Sequence, residues 1–371
     1  MTTLSKYTAL GALTIALAGC GFRHKKYENP ITKDTQQPDK VLFDKAVKDL
    51  EKGRYEVARL QLNTLINTYD TSEFLAKAKL AVADSWFREG GTRGMAQAEA
   101  EYKDFILFYP TMEEAAESQH KLCMIHYKQM DKADRDSNNA LRAEQECRQL
   151  LVQFPNSKFV PEATQHLREI QEVLGESEMR VGAFYGKKGS LASATNRLSS
   201  LVEQYPLYSR SDEALWDAGE YYGRMGPRFR KDSGESYAKI VKDYPLSPYA
   251  ERAKTKLKAL EWEIPPADPV AAAHMKYEAA NRKSPGIVHR SFGFMRRGPE
   301  TSASAKSGTP QMTPPRQSIP VSVPLPGATA GFSGDVTVAP VTDPTALDRN
   351  PDARSQPPAS AGKGKQQKDG K

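Results

Sequence analysis

Three cysteines, six histidines and one glycine-rich phrase are the residues with which this 371-residue chain could do chemistry. The histidines are scattered at His24, His120, His126, His166, His274 and His289. His120 and His126 are six apart, a poor spacing for two ligands to one metal on a helix, and both read as structural. No His-Glu-x-x-His and no Gly-x-Ser-x-Gly elbow occurs. The phrase "GAFYGKKGS", beginning at Gly182, is one residue short of a phosphate loop and follows a helical pattern rather than a strand. Its glycines suit close helix packing and a turn at Gly189. Cys123 and Cys147 lie equally far from residue 135, in the polar loop "DKADRDSNN". They are either a disulfide across a helical hairpin, possible in an oxidising compartment, or two buried thiols. Cys123 is weakly placed on its apolar face, which favours the thiols. These residues point to no enzyme, no cofactor and no metal.

Cys20 is a different case. Lys6 precedes an uncharged apolar run, Ala9 to Ala18, about half the length a spanning helix needs. The run ends in Leu17-Ala18-Gly19-Cys20. Charge, run length and small residues match a secretory signal, and the last four residues resemble the bacterial lipobox. That resemblance implies a signal peptide at 1–19 and an acylated Cys20 as the first mature residue. Gly21, rather than Asp, favours export to the outer membrane. Acyl chains at roughly 0.8 kcal/mol per buried CH₂ make a stable anchor. Residues 20–38 then form a polar tether, with a reach of about 25 Å as a flexible coil.

The formal charge is +7. From Pro265 onward there are 14 Lys and Arg against 8 Asp and Glu, so the excess sits in the tail and the body is near neutral. The tail also holds 16 of the 25 prolines. Composition of this kind marks residues 263–371 as a Pro/Ser/Gly-rich disordered segment. Its basic residues lie on no rigid element, which argues against nucleic acid. Within it, "NRKSPGIVHRSFGFMRRGP" mixes Arg with Phe and Met and reads as disorder or a surface-docking stretch.

Between 39 and 262 apolar residues recur at helical spacing. One ending returns five times: Tyr69-Asp70, Tyr109-Pro110, Phe154-Pro155, Tyr205-Pro206 and Tyr244-Pro245. The aromatic closes an apolar face, proline stops the helix, and Ser72, Ser157 or Ser247 is placed to cap the next one. Upstream stand small–x–x–x–large pairs: Ala98 and Tyr102, Ala143 and Cys147, Ala194 and Leu198. The expected fold is all-α: a right-handed solenoid of about five tetratricopeptide-type hairpins. Its turns fall near Gly53, Gly91, Arg135, Gly189 and Gly226, and a capping helix follows from about Ser247 to Trp262.

The order of details is similar to the BamD family, lipoproteins of the outer-membrane β-barrel assembly machinery, in its acidobacterial form. The likeness covers roughly Val41 to Leu260. It rests on "AEAEYKDFILFYP", on "DRDSNNALRAEQECRQLLVQFPNSKFVPEA" with Asp134-Arg135-Asp136, and on "RVGAFYGKKGSLASATNRLSSLVEQYP" with Asn196-Arg197. The resemblance implies a lipoprotein on the periplasmic face of the outer membrane. It implies docking of the C-terminal repeats, through Asn196 and Arg197, on a POTRA domain of the BamA-type barrel insertase. It implies capture of unfolded outer-membrane proteins by the N-terminal repeats, for which Asp84, Trp86 and Arg88 are candidates. Other lipoproteins of the assembly are possible partners. A competing reading is a repeat lipoprotein serving cell division or peptidoglycan synthesis. The Asp-Arg-Asp loop and the Asn-Arg pair argue against it. A third reading, a glycan hydrolase, lacks a domain for paired carboxylates.

Overall fold

The computed structural model describes residues 36–282 and 298–314. Cys20, the signal and most of the tether and tail lie outside these residues. Twelve α-helices and one 3₁₀ turn, with no strand, are found among the described residues. The helices are α1 Pro38–Glu51, α2 Tyr55–Thr68, α3 Leu75–Glu89, α4 Gly91–Phe108, α5 Glu113–Lys128, α6 Asn138–Gln153, α7 Val160–Lys187, α8 Leu191–Gln204, α9 Ser211–Arg224, α10 Arg230–Asp243, α11 Ala250–Ala259 and α12 Pro269–Asn281. The first ten pair into five hairpins whose turns fall where the sequence places them. α11 is the capping helix, shorter than expected.

Each hairpin ends alike. Tyr69, Tyr109, Phe154, Tyr205 and Tyr244 all adopt φ between −123 and −130° and ψ between 53 and 68°. Proline after four of them disfavours the helical ψ at the preceding residue, so the chain leaves the helix at the aromatic. The aromatic N–H still donates four residues back, as Tyr109 N to Phe105 O at 2.9 Å. Its carbonyl accepts three residues on, as from Met112 N at 3.2 Å. The three serines act slightly earlier than a helix cap. Ser72, Ser157 and Ser247 Oγ accept from the N–H two residues on, at 3.1, 3.3 and 3.0 Å, shaping the turn before the helix. Ser72 and Ser247 also donate to Asp39 and Asp212, at 2.7 and 2.6 Å, joining the corner to the first helix of its own hairpin.

The small–large pairs are fully buried, from Ala98 and Tyr102 to Ala194 and Leu198. The phrase that failed as a phosphate loop has a packing role. A Cβ on Gly182 would sit 2.7 Å from Leu198 Cδ2, so only glycine lets α7 and α8 approach this closely. Gly189, at φ +79°, makes the turn. The core has separate patches along the stack. Leu42, Leu62 and Val82 belong to a first cluster, Tyr102, Leu122 and Ile125 to a second, and the largest runs from Cys123 to Leu257. Each hairpin is thus stabilised by its neighbours.

Two expectations are corrected. Cys123 and Cys147 form a disulfide, with Cα atoms 4.8 Å apart and both residues fully buried. Small residues on α6, Ala140 and Ala143, are buried in the same cluster and allow close approach of α5, which overrides the weak placement of Cys123. The tail is also not uniformly disordered. Residues 269–281 form α12, and residues 298–314 lie on the solenoid without regular secondary structure. Here the partners of residues 298–314 come from α7 and α12, at least 28 residues away, so local composition misses them. The docking stretch around Phe292 falls mainly outside the described residues.

Burial of the imidazoles holds His120, His126 and His166 below their ordinary pKa of 6.5. A histidine kept neutral by folding contributes stability present above its unfolded pKa, and that stability is lost as pH falls below it. The urea midpoint of wild type should therefore fall more than that of His126→Gln between pH 7.5 and 5.5. Parallel pH slopes would contradict the assignment. Reducing the disulfide should cost about 2–4 kcal/mol by the loop-entropy argument. In hydrogen exchange, the gain in exposure should centre on α5 and α6.

Candidate functional site

α8 buries Ala194, Thr195, Leu198, Leu201 and Val202. That stripe leaves Arg197 on the other side of the helix. Its side chain is 48% exposed and meets Glu178 of α7 through Nη1, at 3.3 and 3.2 Å from the two carboxylate oxygens. A half-exposed pair of this kind contributes at most about 1 kcal/mol. The guanidinium is therefore held in place but not committed. Its planar fork suits a second carboxylate. Asn196 precedes it, partly buried and with an interaction of its own.

Asp84, Trp86 and Arg88 all lie on α3, but the structure does not bring them into one site. Asp84 Oδ1 accepts from Tyr102 Oη of α4 and from Lys121 Nζ of α5, both at 2.6 Å. It joins the second hairpin to the third. Trp86 packs against the first two core clusters, with the Arg59 guanidinium 3.5 Å from its ring centroid. Arg59 in turn reaches Glu89 at 2.6 Å. Only Arg88 is exposed. Of the Asp-Arg-Asp loop, Asp136 shapes the start of α6, accepting from Asn138 N at 2.9 Å, while Arg135 is exposed beside Asp131.

The more open surface lies further along. A cleft of about 750 Å³ runs between the corners at Pro110 and Phe154, with Glu113, Glu117, Lys158 and Phe159 on its walls. A second, of about 700 Å³, shares Pro110 and Phe154 and reaches Leu107, Lys103 and Gln149. Leu107 and the neighbouring Phe108 are exposed, at 73% and 62%. This region combines apolar side chains with charges of both signs, as a groove for a peptide does.

Buried polar groups join the helices beneath these surfaces, both within a hairpin and between hairpins. Gln119 donates to Glu146 at 2.8 Å, and Gln171 donates to Glu144 at 3.0 Å. Burial raises the Glu144 carboxyl above its usual range, against the pull of Arg148. Glu172 is likewise raised by burial, though the Ser209 hydroxyl and N–H bond to it. The sequence carries a faint sign of this: Glu144 stands in the apolar stripe of Ala140, Ala143 and Cys147. The clefts had no such sign, because they form between hairpins. Two clusters could hold a cation by distance alone: His120, Glu162 and His166, and Glu99, His126 and Glu146. In the second, Lys103 already lies 2.7 and 3.2 Å from the two carboxylates and supplies the positive charge. In the first, the rings serve packing, with His120 stacked on Phe159 and His166 against Tyr127.

Comparison with known proteins agrees with this architecture. The chain is 24% identical over 245 residues to the outer membrane protein assembly factor BamD of Rickettsia prowazekii, covering 65% of this chain and 91% of the relative. It is 22% identical to the BamD of Neisseria meningitidis serogroup A over 254 residues, covering 65% and 92%. The BamD of Xylella fastidiosa strain Temecula1 is 23% identical, over 60% of this chain and 76% of its own length. A family model described as YfiO, outer membrane lipoprotein, matches residues 35–237, from just before α1 to within α10. With more than half of its length matched, the chain belongs to the YfiO family of outer membrane lipoproteins.

Proposed function

We propose that this chain is a scaffold of the outer-membrane β-barrel assembly machinery, held on the periplasmic face by acylation of Cys20. The observation that carries the reading is the coincidence of the family match at 35–237 with an unbroken stack of hairpins. Relatives matched over 245 and 254 residues are named outer membrane protein assembly factors. The Cys123–Cys147 disulfide supports an oxidising compartment. Among the described residues no helix is long and apolar enough to cross a membrane, so the reading gives attachment to Cys20.

In this account the protein performs no catalysis. It contributes binding free energy, holding unfolded barrel proteins and biasing the insertase. α8 docks on a POTRA domain of the BamA-type insertase, with Arg197 exchanging Glu178 for a partner carboxylate and Asn196 beside it. Clients bind the N-terminal half by their C-terminal signals. The clefts between Pro110 and Phe154 suit that task better than the α3 positions do. Arg88 remains a candidate contact, whereas Asp84 and Trp86 hold the framework that shapes the surface.

Tagged protein recovered from solubilised outer membranes should bring down a POTRA-bearing barrel protein. Arg197→Glu should lose it with the protein still folded, and Cys20→Ala should lose membrane attachment. Recovery of cell-wall synthases and no barrel insertase would defeat the reading. Asp84→Ala leaves the Tyr102 hydroxyl and Lys121 without their acceptor and should lower stability by about 1–3 kcal/mol. Arg88→Glu should leave the melting temperature within about 1 °C, since exposed substitutions change stability little, while weakening capture of a urea-unfolded barrel protein. A stable Asp84→Ala would show that Asp84 is not part of the framework.

A further inference from the structure

Residues 298–314 lie against α7 and α12, and most of their contacts are to backbone. Arg168 Nε and Nη2 donate to Gly308 O at 3.0 and 2.6 Å. Gln171 reads both sides of one residue: its Nε2 donates to Gln311 O at 2.8 Å, and its Oε1 accepts from Gln311 N at 3.1 Å. Glu278 of α12, 3% exposed, accepts from Lys306 N at 3.0 Å and from Ser307 N at 2.8 Å. Ser307 Oγ donates to the same carboxylate at 2.7 Å, the one side-chain group of this strap, residues 298–314, among these bonds. A helix would satisfy such backbone groups internally, and a sheet would pair them with a neighbouring strand. Here the side chains of Arg168, Gln171 and Glu278 do so, and Gln165 Nε2 lies 3.5 Å from Ala305 O and from Ser304 Oγ.

The apolar fit is equally simple. Ala305 is 1% exposed, and Met312 packs on the large core cluster. Gly308 takes φ +83°, and a Cβ there would lie 2.9 Å from Leu207 Cδ2 and 3.3 Å from His274 Nε2. The surface therefore asks for a small residue, a glycine three positions on and an apolar residue four beyond that. Otherwise it asks for a backbone not hydrogen-bonded to itself.

We propose that the face formed by Arg168, Gln171 and Glu278 is a binding site for unfolded polypeptide, and that residues 298–314 are its resident occupant, displaced when an unfolded chain binds. The second clause rests on the client reading above. The first rests only on the contacts of the strap. Binding is competitive: the same guanidinium, amide and carboxylate cannot serve two backbones. An intramolecular occupant raises the affinity a client must have, because the tethered segment is present at high effective concentration.

The test uses the full chain and a fluorescein-labelled peptide of residues 298–314. Gly308→Val alters the strap but no residue of α7 or α12, and a β-branched residue at positive φ is strained. The full-length Gly308→Val protein should bind the labelled peptide at least tenfold more tightly than wild type. Adding Arg168→Ala to it should weaken binding at least fivefold. Equal affinity of wild type and Gly308→Val, or indifference to Arg168→Ala, would overturn the site. A urea-unfolded barrel protein, diluted into the assay, should displace the peptide and speed amide exchange at Lys306 and Ser307 in wild type. If that protein binds without displacing the peptide, the competition is wrong and the client reading survives. If it binds neither protein, the client reading and the second clause fail, while the peptide result still decides the site.

Discussion

A helix must end before its partner can begin, and in this chain the same corner sets that boundary five times. An aromatic residue fills the end of an apolar face, its φ and ψ leave the helical region together, and the following N–H groups are taken up by the corner itself. The nearly constant dihedrals at Tyr69, Tyr109, Phe154, Tyr205 and Tyr244 mean that each hairpin leaves the one before in the same local geometry. Everything else follows from that repetition. The core becomes a series of patches, clefts open between successive corners, and long-range order arises from nearest neighbours.

The corners were legible because their chemistry is local. Proline restricts the residue before it, and glycine permits the positive φ of a turn, whatever surrounds them. The small–large pairs were legible for a similar reason, since a buried stripe leaves its period in the sequence. Features that depend on the register between two helices, or on parts of the chain far apart in sequence, were not. Nothing near Asp84 announces Tyr102 and Lys121, which lie 18 and 37 residues away. The Cys123–Cys147 bond needed the register of α5 against α6. The strap needed partners 140 residues distant, Arg168 and Gln171, which no local composition contains. Its proline-rich neighbourhood argued for disorder, and Arg168, Gln171 and the buried carboxylate of Glu278 together offset that tendency.

The same division separates framework from function. Residues that join hairpins are committed, and buried or partly buried: Arg59 on Trp86, Asp84 between two donors, and Gln171 between Glu144 and the strap. Those available to a partner are half-exposed and weakly held, as Arg197 is by Glu178. A scaffold of this construction offers several surfaces along its length, with α8 in the fourth hairpin and the clefts at the corners after the second and third.

The central claim is that α8 faces the barrel insertase. A photo-crosslinking residue at Glu203, exposed on α8, tests it directly in isolated outer membranes. The account predicts one dominant adduct, to a protein bearing POTRA domains and a β-barrel, that disappears when Arg197→Glu is introduced on the same chain. Adducts to cell-wall enzymes alone, or an insertase adduct indifferent to Arg197→Glu, would contradict it.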